Sequence, residues 1–177
     1  RFKDLGAEIV TAASHKMIDS INNKGKLYSI LKDNPIVKIP AFEVFSTSSE
    51  FNSAYKKLAK NYSHLCMKPT HGVYGVGFYV LKEKTNQLSN LLTQSQTVSV
   101  DHFKKMIKAQ AFKEMMVMQY LEGYERSVDC VAYKGQFIGG VIRKKIPGNM
   151  PQVIEDNPEI IEQVKWLTKK LKLNGMF

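Results

Sequence analysis

The segment Met67-Lys68-Pro69-Thr70-His71-Gly72-Val73-Tyr74-Gly75-Val76-Gly77 constrains the fold more than any other stretch of the chain. An apolar run, Leu65 to Lys68, ends at Pro69, and a second, Phe78 to Leu81, begins directly after Gly77. Short apolar runs bounded by Pro and Gly read as strands. Between them stand three glycines at spacings of three and two. Glycine accepts positive φ and lets backbone amides approach a ligand closely. Consecutive amides in such a turn form a nest for anionic oxygen. A lysine at the strand end adds a positive charge for the same anion. Two common phosphate motifs are excluded. The lysine precedes the glycines, so there is no Walker-type loop, and a strand follows them, so there is no dinucleotide fingerprint opening a helix. The alternative reading is an ordinary hairpin loop whose glycines serve turn geometry.

Around this loop strands and helices alternate without an internal repeat, a low-complexity tract or a long linker. Ala7 to Ala13 reads as a short strand. Met17 to Leu31 reads as one helix with Ile18, Ile21, Leu27, Tyr28 and Leu31 as its apolar positions. Pro35 and Pro40 bracket an extended segment, because the residue before proline is pushed out of helical geometry. Thr47-Ser48-Ser49-Glu50 is a capping box, and the helix after it places Phe51, Ala54, Tyr55 and Leu58 on one face. Val100, Phe103, Met106 and Ile107 mark another amphipathic helix, and Met115 to Leu121 a strand. Ser127 to Tyr133 and Gln136 to Arg143 read as strands joined at a Lys134-Gly135 turn. With that two-residue turn, Arg143 shares a face with Val128 and Cys130, and Lys144 becomes the inward cation. A bulge would reverse this. Asn157-Pro158-Glu159 opens the last helix, lined by Ile160, Val164, Leu167 and Leu171 and stopped by Gly175. This mixture indicates an α+β fold rather than a doubly wound parallel sheet.

Composition adds exclusions. At 177 residues the chain suits one domain or two small lobes. The net charge of +10 fits either a nucleic-acid surface or a nucleotide site combined with solvated helix faces. The second reading suits the lysines better, since Lys56, Lys57 and Lys60, then Lys104, Lys105 and Lys108, then Lys165, Lys169 and Lys170 interleave with apolar residues at helical spacing. No run-like arrangement of aromatics on one strand marks an RNA-binding sheet. No apolar run approaches the roughly 20 residues of a membrane-spanning helix. Cys66 and Cys130 sit in apolar strands without partner spacing, so a structural zinc site is not expected. Buried free thiols in a reducing cytoplasm are expected instead. His15, His64, His71 and His102 have no paired acid or nucleophile nearby in sequence, so no catalytic triad is supported.

Several segments in order carry a resemblance. Asn23-Lys24 with Leu27-Tyr28, then Ile39-Pro40, then Lys68-Pro69 with its glycine loop, then Val117 to Asp129 (VMQYLEGYERSVD), resemble the ATP-grasp superfamily. The nearest likeness is to the carboxylate–amine ligases similar to one ATP-binding unit of carbamoyl phosphate synthase, and it covers nearly the whole chain. The resemblance implies an ATP-grasp fold of two lobes with the nucleotide between them. Residues 1–16 would be the tail of a preceding nucleotide-fold domain, 17–118 the small lobe and 119–177 part of the large lobe. It implies that Lys24 and Lys68 reach the nucleotide phosphates, and that the loop His71, Gly72, Gly75 and Gly77 closes over them. Gln119, Tyr120 and Leu121 would form the hinge that reads the adenine edge, with Gln119 standing where many relatives carry glutamate. Glu125 would bind the ribose hydroxyls. Asp129 would lie below the phosphates, with Arg143 as the catalytic cation. The implied cofactors are ATP and Mg2+, the metal ligands lying beyond Phe177, so the large lobe would be incomplete and the chain alone inactive. The implied partners are a small carboxylate and an amine, thiol or other nucleophile joined through an acyl phosphate. Neither a membrane nor nucleic acid is expected as a partner. Two other readings remain: a basic α+β module that binds nucleic acid, and a degenerate ATP-grasp scaffold without catalysis.

Overall fold

The computed structural model describes residues 3–6, 11–86, 88, 90, 96–146 and 152–177. The expected strand from Ala7 to Ala13 lies outside them at positions 7–10, and 11–13 carry no strand. The described chain divides into two units. One comprises Ile21–Asp33 and Lys38–Leu121; the other comprises Arg1–Ser20, Asn34–Val37 and Glu122–Phe177.

The helix expected from Met17 to Leu31 is two helices, α1 (His15–Asn22) and α2 (Lys24–Leu31). Asn23 makes the break. Its backbone is extended, at φ −104° and ψ 106°, and its side chain accepts the Lys26 N–H as the cap of α2. Asparagine competes well for backbone donors, so it favours a cap over a helix interior.

The first unit holds a five-stranded sheet. Its strands are β1 (Phe42–Phe45), β2 (Leu65–Pro69), β3 (Tyr79–Lys82), β4 (Thr97–Ser99) and β5 (Met115–Gln119), in the order β1-β5-β2-β3-β4. All pairings are antiparallel except β3 with β4. Helix α3 (Ser48–Ala59) begins at the anticipated capping box: Thr47 accepts the Glu50 N–H, and Glu50 returns a bond to the Thr47 backbone. Helix α4 (Val100–Ala109) is capped by Ser99.

Strand periodicity sorts this sheet into two faces. On the face under α3 and α4 lie Phe45, Leu65, Met67, Leu81, Val98 and Val117, packed with Phe51, Ala54, Leu58, Phe103 and Ile107. The opposite face carries Cys66, Met116 and Met118, with Tyr28, Phe42, Phe78 and Tyr120 against them. Central strand β5 is covered on both sides, which is why its sequence is apolar without alternation.

The second unit holds an antiparallel sheet of β6 (Arg126–Tyr133), β7 (Gln136–Lys145), β8 (Gln152–Glu155) and β9 (Gly175–Met176), in the order β8-β7-β6-β9. Helix α5 (Pro158–Leu171), capped by Asn157, packs on β7. Lys134 and Gly135 form the expected two-residue turn, with φ of 48° and 78°, the positive values a tight hairpin needs. Gly175 does not stop α5, contrary to the sequence expectation. Lys172 ends it in the left-handed region at φ 52°, its N–H turned back to the carbonyls of the last turn. Leu173 then donates to the Thr168 carbonyl and accepts from the Gly135 N–H, and these bonds hold the chain reversal. Gly175 instead opens β9 opposite Ala132.

Candidate functional site

The site is built on the sheet face away from α3 and α4. Lys68 lies two residues beyond Cys66 on β2, so its side chain emerges on the same face as the Cys66, Met116 and Met118 cluster. Its ammonium sits 3.2 Å from the Tyr28 hydroxyl and 5.2 Å from the centre of that ring. Lys24 opens α2, and its ammonium donates to the Gly72 carbonyl at 2.6 Å. Burial lowers the Lys24 pKa below the ordinary lysine value, and the charge of Lys68 lowers it further. Two cations that repel each other beside a glycine loop favour a bound anion.

The start of α2 is tied to the loop by a short network. Lys24 donates its backbone N–H to the Thr70 carbonyl at 2.8 Å. Thr70 is fully buried, and both its N–H and its hydroxyl donate to the Glu114 carbonyl. The buried Asn23 amide donates to the Glu114 carboxylate at 3.1 Å. His71 follows, its Nδ1 3.2 Å from the Thr70 hydroxyl. Gly72, Gly75 and Gly77 all have positive φ, at 140°, 69° and 77°. A Cβ at Gly72 or Gly75 would meet nothing within 4 Å, so their requirement is conformational. At Gly77 a Cβ would also lie 2.8 Å from the Pro69 ring. Tyr74, at φ 58°, is nearly fully exposed at the loop tip.

Gln119 ends β5, and Tyr120 and Leu121 follow it. The Gln119 N–H donates to Ala41 and the Tyr120 N–H to His64. The Tyr120 ring lies 6.4 Å from that of Phe78 and closes the apolar cluster. Leu121 is exposed, and its N–H has no backbone acceptor among the described residues. Cys66 and Cys130 are buried free thiols, as expected. Burial pushes the Cys66 thiol up to about 11, against the opposing charge of Lys68.

In the second unit a register shift between Val131 and Ala132 inserts Ile138 as an extra residue on β7. The shift decides the alternative left open by the sequence. Arg143 stands opposite Ser127 and shares a face with Asp129. Its Nε and Nη2 reach the two Asp129 oxygens at 2.5 and 2.7 Å, and Nη1 reaches Gln152. Hydrogen bonds from Arg143 hold the Asp129 carboxyl below its usual range. Lys144 takes the opposite face, over the Tyr124 ring at 4.1 Å. Glu125 pairs with Lys145, and Arg126 makes a two-bond pair with Glu155.

Tyr28, Glu114 and Thr70 were not singled out from the sequence as site residues. For Tyr28 a signal existed: it stands four residues after Lys24, hence on the same helix face. Thr70 and Glu114 act through backbone and side-chain bonds that no local pattern announces.

The first unit thus carries a lysine and a glycine loop of positive φ on the sheet face away from α3 and α4, and the second unit an antiparallel sheet with one helix on it, in keeping with the expected ATP-grasp fold. The comparisons with known proteins agree. Residues 111–177 match the family model described as ATP-grasp in the biosynthetic pathway with Ter operon. The chain is similar to N5-carboxyaminoimidazole ribonucleotide synthetase in its ADP complex, at TM-score 0.63 and 16% identity over 90% of this chain and 40% of that one. It is similar to D-alanyl-alanine synthetase A from Vibrio cholerae, at TM-score 0.65 and 14% identity over 98% of this chain and 54% of that one. It is also similar to D-alanine–D-alanine ligase from Bacillus anthracis complexed with ATP, at TM-score 0.59 and 16% identity over 99% of this chain and 54% of that one. No curated protein matches. The chain has the ATP-grasp fold and spans about half the length of these structures, or less. No helix among the described residues is long and apolar enough to cross a membrane.

Proposed function

We propose that this chain is the ATP-binding part of an ATP-grasp ligase that joins a carboxylate to an amine or a thiol, similar in kind to carbamoyl phosphate synthase. The observation that carries this reading is the placement of Lys24 and Lys68 around the glycine loop, one ammonium on the Gly72 carbonyl and the other on Tyr28. ATP supplies the phosphoryl group that turns the carboxylate into an acyl phosphate open to attack. The donor set suits it. Lys24 and Lys68 would offset the charge of the phosphates, and backbone amides of the glycine loop would donate to their oxygens. Binding would replace the Gly72 carbonyl at Lys24 by a phosphate oxygen. The loop would exclude water from the activated carboxylate. The apolar wall of Phe78 and Tyr120 suits a flat base, and the Leu121 N–H is the donor proposed to read its edge, with Gln119 and Tyr120 holding the hinge. Glu125, Asp129 and Arg143 keep their proposed roles toward ribose hydroxyls and phosphate. In those roles each would give up the ion pair it now makes, Glu125 with Lys145 and Asp129 with Arg143. Among the described residues no three carboxylate, imidazole or thiol groups converge on one point. None of them is therefore proposed to hold the Mg2+.

The test is calorimetry of Mg-ATP on this chain and on Lys68→Ala, with single-stranded RNA as the competing ligand. Losing a charged hydrogen bond of about 1.5–3 kcal/mol corresponds to roughly 10- to 140-fold weaker ATP binding. RNA binding with no ATP response would establish the nucleic-acid reading instead.

A further inference from the structure

Helix α2 presents Lys24 and Tyr28 four residues apart and therefore on one face. Lys24 meets the loop directly. Tyr28 meets the other lysine: its hydroxyl lies 3.2 Å from the Lys68 ammonium, on the part-buried side of the sheet. The Tyr28 ring is itself held fast. It stands edge-on to Phe42, with centroids 5.4 Å apart and planes at 85°, and packs on the Cys66, Met116 and Met118 cluster. A lysine carries about 2 kcal/mol of rotamer entropy on its flexible stem. A phenol oxygen accepts one N–H of the ammonium and leaves two for an anion. The ring face attracts the same charge. Helix α2 thus meets both cations, carrying Lys24 in its first turn and touching Lys68 through Tyr28.

We infer that Tyr28 is a positioning residue that holds the Lys68 ammonium in place for the phosphates of a bound nucleotide; this rests on the proposed ATP site. The role is separable from packing, because phenylalanine keeps the ring and removes only the hydroxyl. Mg-ATP affinity of the chain is to be measured by calorimetry, and adenosine affinity by NMR titration, for the unsubstituted chain, Tyr28→Phe, Lys68→Ala and the double variant.

The expected result is about a tenfold loss of Mg-ATP affinity in Tyr28→Phe, adenosine affinity unchanged, and no further loss when Tyr28→Phe is added to Lys68→Ala. Unchanged Mg-ATP affinity in Tyr28→Phe, with Lys68→Ala still weakened, overturns the inference and leaves the ATP site standing. Parallel loss of Mg-ATP and adenosine binding, with a lowered Tm, assigns Tyr28 to packing and also overturns it. If neither the unsubstituted chain nor Lys68→Ala responds to Mg-ATP, the proposed function fails, and the inference fails with it.

Discussion

Phe45→Ala is expected to lower stability by about 3–5 kcal/mol, the range for deleting a buried aromatic and leaving its cavity. Phe45 is 1% exposed. Its ring centre lies 5.0 Å from that of Phe51, 5.8 Å from Phe112 and 6.3 Å from Phe103. Three elements therefore lose a shared contact at once: β1, α3 and α4. Aromatic packing geometry adds to simple area loss, so Phe45→Leu is expected to cost less but not to be neutral. Urea unfolding followed by tyrosine fluorescence and circular dichroism measures the difference. A loss below about 1 kcal/mol in Phe45→Ala would mean that the neighbouring rings close the cavity, contrary to the close-packed interior expected here.

Asn23→Ala is expected to cost about 2–3 kcal/mol and to weaken nucleotide binding in the same protein. Two bonds go. The cap on the Lys26 N–H contributes about 1 kcal/mol. The bond to the Glu114 carboxylate, a charged acceptor, contributes about 1.5–3 kcal/mol, reduced here because Glu114 is exposed and water replaces part of it. Asn23→Ser separates the two, since serine keeps the cap but does not reach Glu114. It is expected to recover about half the loss. Thermal unfolding of the three proteins reads the stability, and calorimetry with Mg-ATP reads the displacement of Lys24. Equal stabilities of Asn23→Ala and the unsubstituted chain would show that Asn23 carries neither bond.

Much of the frame was legible in residues with a local physical job. The capping box at Thr47 to Glu50, the Lys134-Gly135 turn, the Asn157-Pro158 helix start and the glycine loop after Lys68 each act within a few residues of themselves. Element ends set by distant contacts were not legible. Strands β1, β4 and β8 are three or four residues long and exist because a neighbour pairs with them. The second bond of Asn23, to Glu114 far along the chain, is of the same kind. Lys172 takes a left-handed backbone at a cost of about 1–2 kcal/mol, offset by the bonds its N–H and that of Leu173 make to the carbonyls of Lys169 and Thr168. At the site the order of Lys24, Lys68 and the glycines could be read. The partners holding them, Tyr28 and Thr70, belong to tertiary packing. The side of the hairpin chosen by Arg143 depended on one bulge that no residue type announced.

That bulge makes the hairpin sensitive to counting rather than to chemistry. Surface turns ordinarily tolerate insertions and deletions, and Ile138 is itself largely exposed. Yet removing one residue there changes the parity of everything downstream on β7. Ile142, now 3% exposed, would exchange sides with Arg143, and β8 would follow because all four of its residues pair with β7. Substitutions at 138 can therefore be broad while deletions are not. In this strand the chain's length, more than its spelling, decides which side bears charge.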